Sequence, residues 1–234
     1  MTLGDWLAYW LPEQCPACAG PTAAGFCAGC RAELAVSPGV LSPQPLRVHA
    51  PLSFEPPLDH YVHALKFRGA RRLGRALGLL LADTVRERRG DVDAIVPVPL
   101  HRARLRARGY NQAVEIALPI ARAIGAPLLL RGIERRLPTA PQTGLGAEAR
   151  ARNLRGAFAV ARPLEGLRLA IVDDVLTTGA TAAALAAELH ARGAAAVEAW
   201  TVAHTPPHRA RAAPNEESSP VRRAAASGPV VPRP

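Results

Sequence analysis

Asp173 and Asp174 close the apolar run at residues 169–172, and Val175-Leu176-Thr177-Thr178-Gly179-Ala180-Thr181 follows at once. This order of residue types suits a sugar phosphate. Neighbouring carboxylates accept hydrogen bonds from sugar hydroxyls. Thr hydroxyls and the N–H groups of a helix start donate to phosphate oxygens, and the helix dipole favours the negative charge. Gly179 lets the backbone approach a phosphate closely. A βα turn whose Asp and Thr only cap a helix accounts for one or two of these residues. It does not account for paired acids ending an apolar strand ahead of Thr-Thr-Gly. On this reading the strand stops abruptly at the two acids, and both are ionised at neutral pH.

A second group follows the apolar run 94–98: Pro97-Val98-Pro99-Leu100-His101, then Arg102, Arg104, Arg106 and Arg108, then Gly109-Tyr110-Asn111-Gln112. Arginine matches phosphate oxygens bidentately. If 102–108 is helical, a spacing of two divides these arginines between two faces, so they do not all reach one ligand. Arg102 and Arg104 read equally as a solvated basic face. Gly109 and Asn111 mark a specialised turn at a helix start. Lys66 is the only lysine in the chain. It reads either as a surface lysine or as a phosphate contact held by function.

The four cysteines form Cys15-x-x-Cys18 and Cys27-x-x-Cys30. Two such pairs suit a tetrahedral Zn2+, each turn presenting two thiolates to one ion. The spacer is shorter than in most zinc ribbons. The alternatives are one or two disulfides or a redox pair. Without a signal of secretion, structural zinc is the expectation.

These residues need an α/β scaffold to position them. Strand-like runs at 94–98, 128–133, 157–160, 169–172 and 197–202 alternate with helix-like runs at 73–85, 114–124 and 181–192, with Pro119 expected to kink the second helix. That alternation implies a mainly parallel sheet flanked by helices. The long polar stretch 136–153 could serve as a mobile lid. Three zones are expected: residues 1–45 with the cysteines, ending in the loop-like Ser37-Pro38-Gly39; a main domain at 46–205; and a disordered, Pro- and Arg-rich tail at 206–234. Leu3, Trp6, Leu7 and Trp10 share a helical face at the start. No apolar run approaches the roughly 20 residues that span a bilayer, and no signal peptide is visible, so the expected location is cytoplasmic. The formal net charge is +10. The tail holds five arginines against two glutamates, which leaves about +7 on the rest. Such a balance favours a polyanionic partner, nucleic acid or phosphorylated small molecule.

The segment 169–181 resembles the signature of the type I phosphoribosyltransferases, which bind phosphoribosyl pyrophosphate with Mg2+. The resemblance places Asp173 and Asp174 on the ribose as catalytic residues, with Thr177, Thr178, Gly179, Ala180 and Thr181 around the 5′-phosphate. It places Pro97 and Val98 at the pyrophosphate loop, with Arg108 and Lys66 as further binding residues. The ordered set is similar to one group in particular, the ComF family of bacterial DNA uptake. The set runs through Leu65-Lys66-Phe67-Arg68-Gly69, Pro97 to His101, Arg108 to Gln112, Gln142 to Leu145, Arg152-Asn153, Ala157-Phe158 and the Asp173 to Thr181 segment. It covers roughly residues 10–205, with Tyr110 where Phe is usual. The resemblance implies a type I phosphoribosyltransferase-like fold with a small N-terminal zinc finger. It also implies a part in natural transformation, with single-stranded DNA and the DNA-uptake helicase machinery as partners and nucleotide metabolism as the chemical setting. Two readings stay open: a transferase that attaches a base or amine to ribose 5-phosphate, and a non-catalytic module that keeps the pocket for a sugar phosphate or single-stranded nucleic acid.

Overall fold

The computed structural model describes residues 13–41, 46–137, 154 and 156–205. The N-terminal apolar face, most of the long polar stretch and the tail lie outside these residues. The chain begins with a short hairpin, β1 (Glu13–Gln14) and β2 (Pro21–Thr22), followed by the one-turn helix α1 (Ala28–Ala32). β3 (Val36–Leu41) and β4 (Arg47–Ser53) lead into α2 (Leu58–Phe67) and α3 (Arg71–Val85). Then come β5 (Ala94–Pro97), α4 (Arg102–Arg108), α5 (Gln112–Ile124), β6 (Ile133–Arg135) and β7 (Phe158–Val160). β8 (Arg168–Leu176), α6 (Ala180–Ala191) and β9 (Ala196–His204) close the order.

The main sheet has the order β3-β4-β9-β8-β5. β4, β9, β8 and β5 are mutually parallel, and only the edge strand β3 is antiparallel. β8 lies inside the sheet, and its residues 169–172 are buried, which explains a run with no polar alternation. Side chains alternate between the two faces of a strand. Ala170 and Val172 therefore join the core under α2, α3 and α5, and Leu169 and Ile171 join the core under α6. α3 and α5 meet closely because α3 carries glycines where they touch. A Cβ at Gly78 would stand 2.2 Å from the Ile116 carbonyl oxygen and 2.5 Å from Pro119 Cγ.

Three expectations are corrected. Ser37-Pro38-Gly39, read as loop, lies within β3, whose register with β4 shifts between Val36 and Gly39. Proline is tolerated there because an edge strand or bulge does not need its N–H. Residues 128–133 do not form one strand. Leu128 makes an isolated bridge to Ile95, and the strand starts at Ile133 and pairs antiparallel with β7 in a separate two-stranded sheet. β8 also does not stop at the acids but continues to Leu176, paired with β9. Among the described residues, no helix is long and apolar enough to cross a membrane.

Candidate functional site

The site sits where β5 ends and β8 continues. The last β5–β8 pair is Pro97 with Val172, after which the Val98 N–H donates to the Val172 carbonyl at 2.9 Å. Beyond that point β8 pairs only with β9, so residues 173–176 border a notch at the carboxyl edge of the sheet. Ligands of open parallel sheets lie at this edge.

Strand alternation sends the two acids to opposite faces. Each carboxylate accepts from the next backbone N–H: Asp173 Oδ1 from Asp174 N at 2.9 Å, and Asp174 Oδ1 from Val175 N at 2.8 Å. Asp174 is buried, 3% exposed, and its Oδ2 lies 2.9 Å from Lys66 Nζ. The contact is an ion pair without hydrogen-bond alignment, since Oδ2 has no hydrogen-bond partner. Asp173 is half-buried. Its carboxyl is pushed up to about 7, chiefly by burial and then by the Asp174 charge, against the pull of Lys66, the Asp174 N–H and Arg135. At neutral pH Asp173 is thus only partly ionised, where the sequence reading has both acids fully charged. Two carboxylates this close disfavour double ionisation.

Cations surround the pair. Lys66 comes from the last turn of α2. Arg108 feels the Asp174 charge, while burial, the larger effect, lowers its affinity for its proton. Arg135 on β6 is likewise lowered chiefly by burial, feels both Arg104 and Asp173, and lies over the Phe158 ring. Sequence reasoning missed Arg135. Its place depends on β6 pairing with β7 and on the bridge between His101 and Arg135. The one local signal was the alternation of Ile133 and Arg135 about Glu134.

The turn at 108–112 holds this arrangement. Gly109 ends α4 with φ +81°, and Asn111 caps α5 by accepting from Ala113 N at 3.0 Å. The Asn111 amide also donates to the Val98 carbonyl at 2.9 Å, fixing the loop after β5. The buried Tyr110 hydroxyl donates to the Leu65 carbonyl, and the Arg108 guanidinium donates to Gln112 Oε1. α4 is helical as supposed, and Arg102 pairs with Glu134 at 3.2 Å. On the other side of the notch, Thr177 and Thr178 are exposed and Gly179 precedes α6 with φ +74°. Thr178 Oγ1 accepts from Ala180 N at 3.4 Å. Ala180 and Thr181 lie in the first turn, where helix N–H groups have no intrahelical acceptor.

The cysteines form a second site. The Sγ atoms of Cys15, Cys18, Cys27 and Cys30 all lie within 4.8 Å of one another, and none is in a disulfide. Cys18 and Cys27 Sγ stand 3.6 Å apart. Four thiolates on a tetrahedral Zn2+ at 2.3 Å require sulfurs about 3.8 Å apart, so the set can hold one metal ion. Burial pushes the Cys15 thiol up, but N–H groups at Cys27, Cys18 and Ala17 outweigh it and bring it down to about 6. Burial and the neighbouring thiols push Cys30 up.

No protein-family model matches the chain. Among curated proteins, DNA utilization protein YhgH of Salmonella typhi is 40% identical over 157 residues, covering 65% of this chain and 69% of that protein. The YhgH of Escherichia coli K12 is 38% identical over the same shares. Competence protein F of Haemophilus influenzae is 34% identical over 155 residues, covering 63% and 68%. Two solved structures overlap loosely. A purine phosphoribosyltransferase of Pyrococcus horikoshii matches at TM-score 0.35 and 19% identity, covering 55% of this chain and 80% of that one. The glutamine phosphoribosylpyrophosphate amidotransferase of B. subtilis matches at 0.40 and 22%, covering 57% and 26%.

Proposed function

This chain belongs to the ComF family, and from that premise we propose that it binds phosphoribosyl pyrophosphate, or a closely related sugar phosphate, in the notch between β5 and β8, and acts in DNA uptake. The observation that carries this reading is Asp173 and Asp174, set at the open carboxyl edge of the central parallel strand opposite a glycine-started helix and attended by Lys66, Arg108 and Arg135. Asp173 and Asp174 accept from the ribose hydroxyls. Thr177, Thr178, Gly179, Ala180 and Thr181 receive the 5′-phosphate. Pro97, Val98, Arg108 and Lys66 border the pyrophosphate, which carries its Mg2+ with it. Lys66 exchanges its partner Asp174 for ligand oxygens in this scheme. Transfer would break the C1–O bond to pyrophosphate and form a C1–N bond to a base or amine. The relatives are named for DNA utilization and for competence, which supports the DNA-uptake part of this reading; single-stranded DNA is the form of partner we propose. The four cysteines hold Zn2+ in a structural role.

Calorimetric titration of phosphoribosyl pyrophosphate with Mg2+ tests the pocket. Saturable binding is expected, and Asp173→Asn with Asp174→Asn should weaken it by roughly one to two decades for each carboxylate lost, as about 1.5–3 kcal/mol is lost per hydrogen bond to a charged acceptor. No saturable binding by the wild type, or equal binding by the double variant, refutes the assignment. Pyrophosphate release across a panel of acceptors separates a transferase from a binding module.

A further inference from the structure

Phe67 stands out among the four phenylalanines. Phe26 and Phe158 are buried and Phe54 packs against the core, but Phe67 is 67% exposed at the end of α2. Leaving so much ring in water has an unfavourable hydration free energy. The ring is nevertheless held in place. The His63 ring lies 4.8 Å from it at 44°, and the Arg108 guanidinium sits 5.5 Å from its centroid, itself tied to Gln112. Its chain neighbour Lys66 reaches Asp174. Its other neighbour, Arg68, is exposed, and residues 69–73 line a cleft of about 720 Å3 with residues 14–19 of the first cysteine turn. The exposed guanidinium-bearing residues Arg71 and Arg72 border that cleft.

We infer that Phe67 is a stacking platform for an unpaired nucleobase whose sugar or phosphates lie toward the notch or the cleft. A flat aromatic surface backed by a guanidinium and bordered by arginines matches a planar heteroaromatic group attached to anionic oxygens. A protein partner would call for contiguous apolar surface, and here the flanking side chains are Lys66, Arg68, His63 and Arg108. For its position beside a sugar-phosphate pocket the inference rests on the proposed function, but its test reads the base alone.

The test uses the full chain with 2-aminopurine, whose fluorescence falls on stacking, presented as a ribonucleoside 5′-monophosphate or within a short single-stranded DNA. An abasic strand of equal length carries the same phosphates without bases. Phe67→Ala should weaken binding of the base-bearing probe about tenfold and remove the quenching. Phe67→Trp should retain both, and Phe67→Leu, apolar without a π face, should behave as the alanine variant. Loss confined to the strand assigns the base to single-stranded nucleic acid, and loss confined to the nucleotide assigns it to a free nucleotide. The inference is overturned by absence of quenching in the wild type, by unchanged affinity in Phe67→Ala, or by an equal loss with the abasic strand. Phosphoribosyl pyrophosphate has no base, so its titration separates the two ideas. Base-dependent loss without any sugar-phosphate binding leaves the platform standing and removes the pocket.

Discussion

Asp173 and Asp174 are adjacent in the chain, yet each faces a different set of neighbours. Asp174 meets Lys66, whereas Asp173 is dominated by burial and by the charge of Asp174. The raised carboxyl of Asp173 has a signed consequence. Between its ordinary 3.8 and about 7, the folded chain holds a proton that the unfolded chain has lost. Stability therefore falls as pH rises through that window and is level above it. Asp173→Asn, uncharged at every pH, should melt higher than the wild type near pH 8 and with it near pH 4. Parallel melting curves across the whole range would show that Asp173 ionises freely. The same titration should act on the ligand: sugar hydroxyls donate to the ionised form, so sugar-phosphate affinity should climb through about 7, the value at which Asp173 titrates, and level off only above it. The acid pair, the Thr/Gly loop and the turn at 108–112 were all legible in the sequence, because each is a local arrangement of residue types. Arg135 was not, because a strand pairing across more than twenty residues brings it to the site.

At the scale of elements, two glycines do different work. Gly179 starts α6 from a left-handed backbone with open space around it, since an added Cβ would meet only Leu176 Cδ1 at 3.8 Å. Gly179→Ala should therefore cost about 1–2 kcal/mol through backbone conformation alone, and Gly179→Val should also abolish phosphate binding. Gly78 is ordinary helix, where alanine would gain helix propensity by about 1 kcal/mol. Its Cβ, however, would press on the backbone of α5. Overpacking of this kind should win, giving a net loss of about 3 kcal/mol for Gly78→Ala and a melting temperature lower by roughly 10 °C. A neutral Gly78→Ala in thermal unfolding would mean that α3 and α5 can separate without loss. Three of the four parallel strands were legible: β5 and β8 from the continuous apolar runs 94–98 and 169–172 that burial on both faces writes, and β9 from the apolar-rich 197–202, which Glu198 and Thr201 interrupt; β4 was not read from the sequence. Nor were β3 and β6. One tolerates Pro38 only by lying at an edge, and the other is three residues long and stands through its pairing with β7.

Over the whole molecule, the cysteine region and the main sheet share one core. Cys15, Phe26, Cys30 and Leu34 belong to the same apolar cluster as Leu58, Leu65, Leu73 and Leu77. The Phe26 and Tyr61 rings stand 5.3 Å apart, Arg31 pairs with Asp83 at 2.9 Å, and Glu13 pairs with Arg75 at 2.9 Å. β3, only a few residues beyond α1, is an edge of the main sheet. A metal ion held by the four cysteines would therefore brace α2 and α3, and through α2 the placement of Lys66 on Asp174 and of Phe67 beside Arg108. Structural Zn2+ is worth about 10–16 kcal/mol in isolated finger peptides, and much of that binding free energy should be transmitted to the body through the shared core. Elemental analysis should find one zinc per chain. Removing it with a chelator, or replacing Cys15 and Cys30 with serine, should move the single unfolding transition of the whole chain to lower temperature and weaken sugar-phosphate binding with it. A finger that melts separately while the main transition stays in place would show that the cysteine region rides on the fold without supporting it.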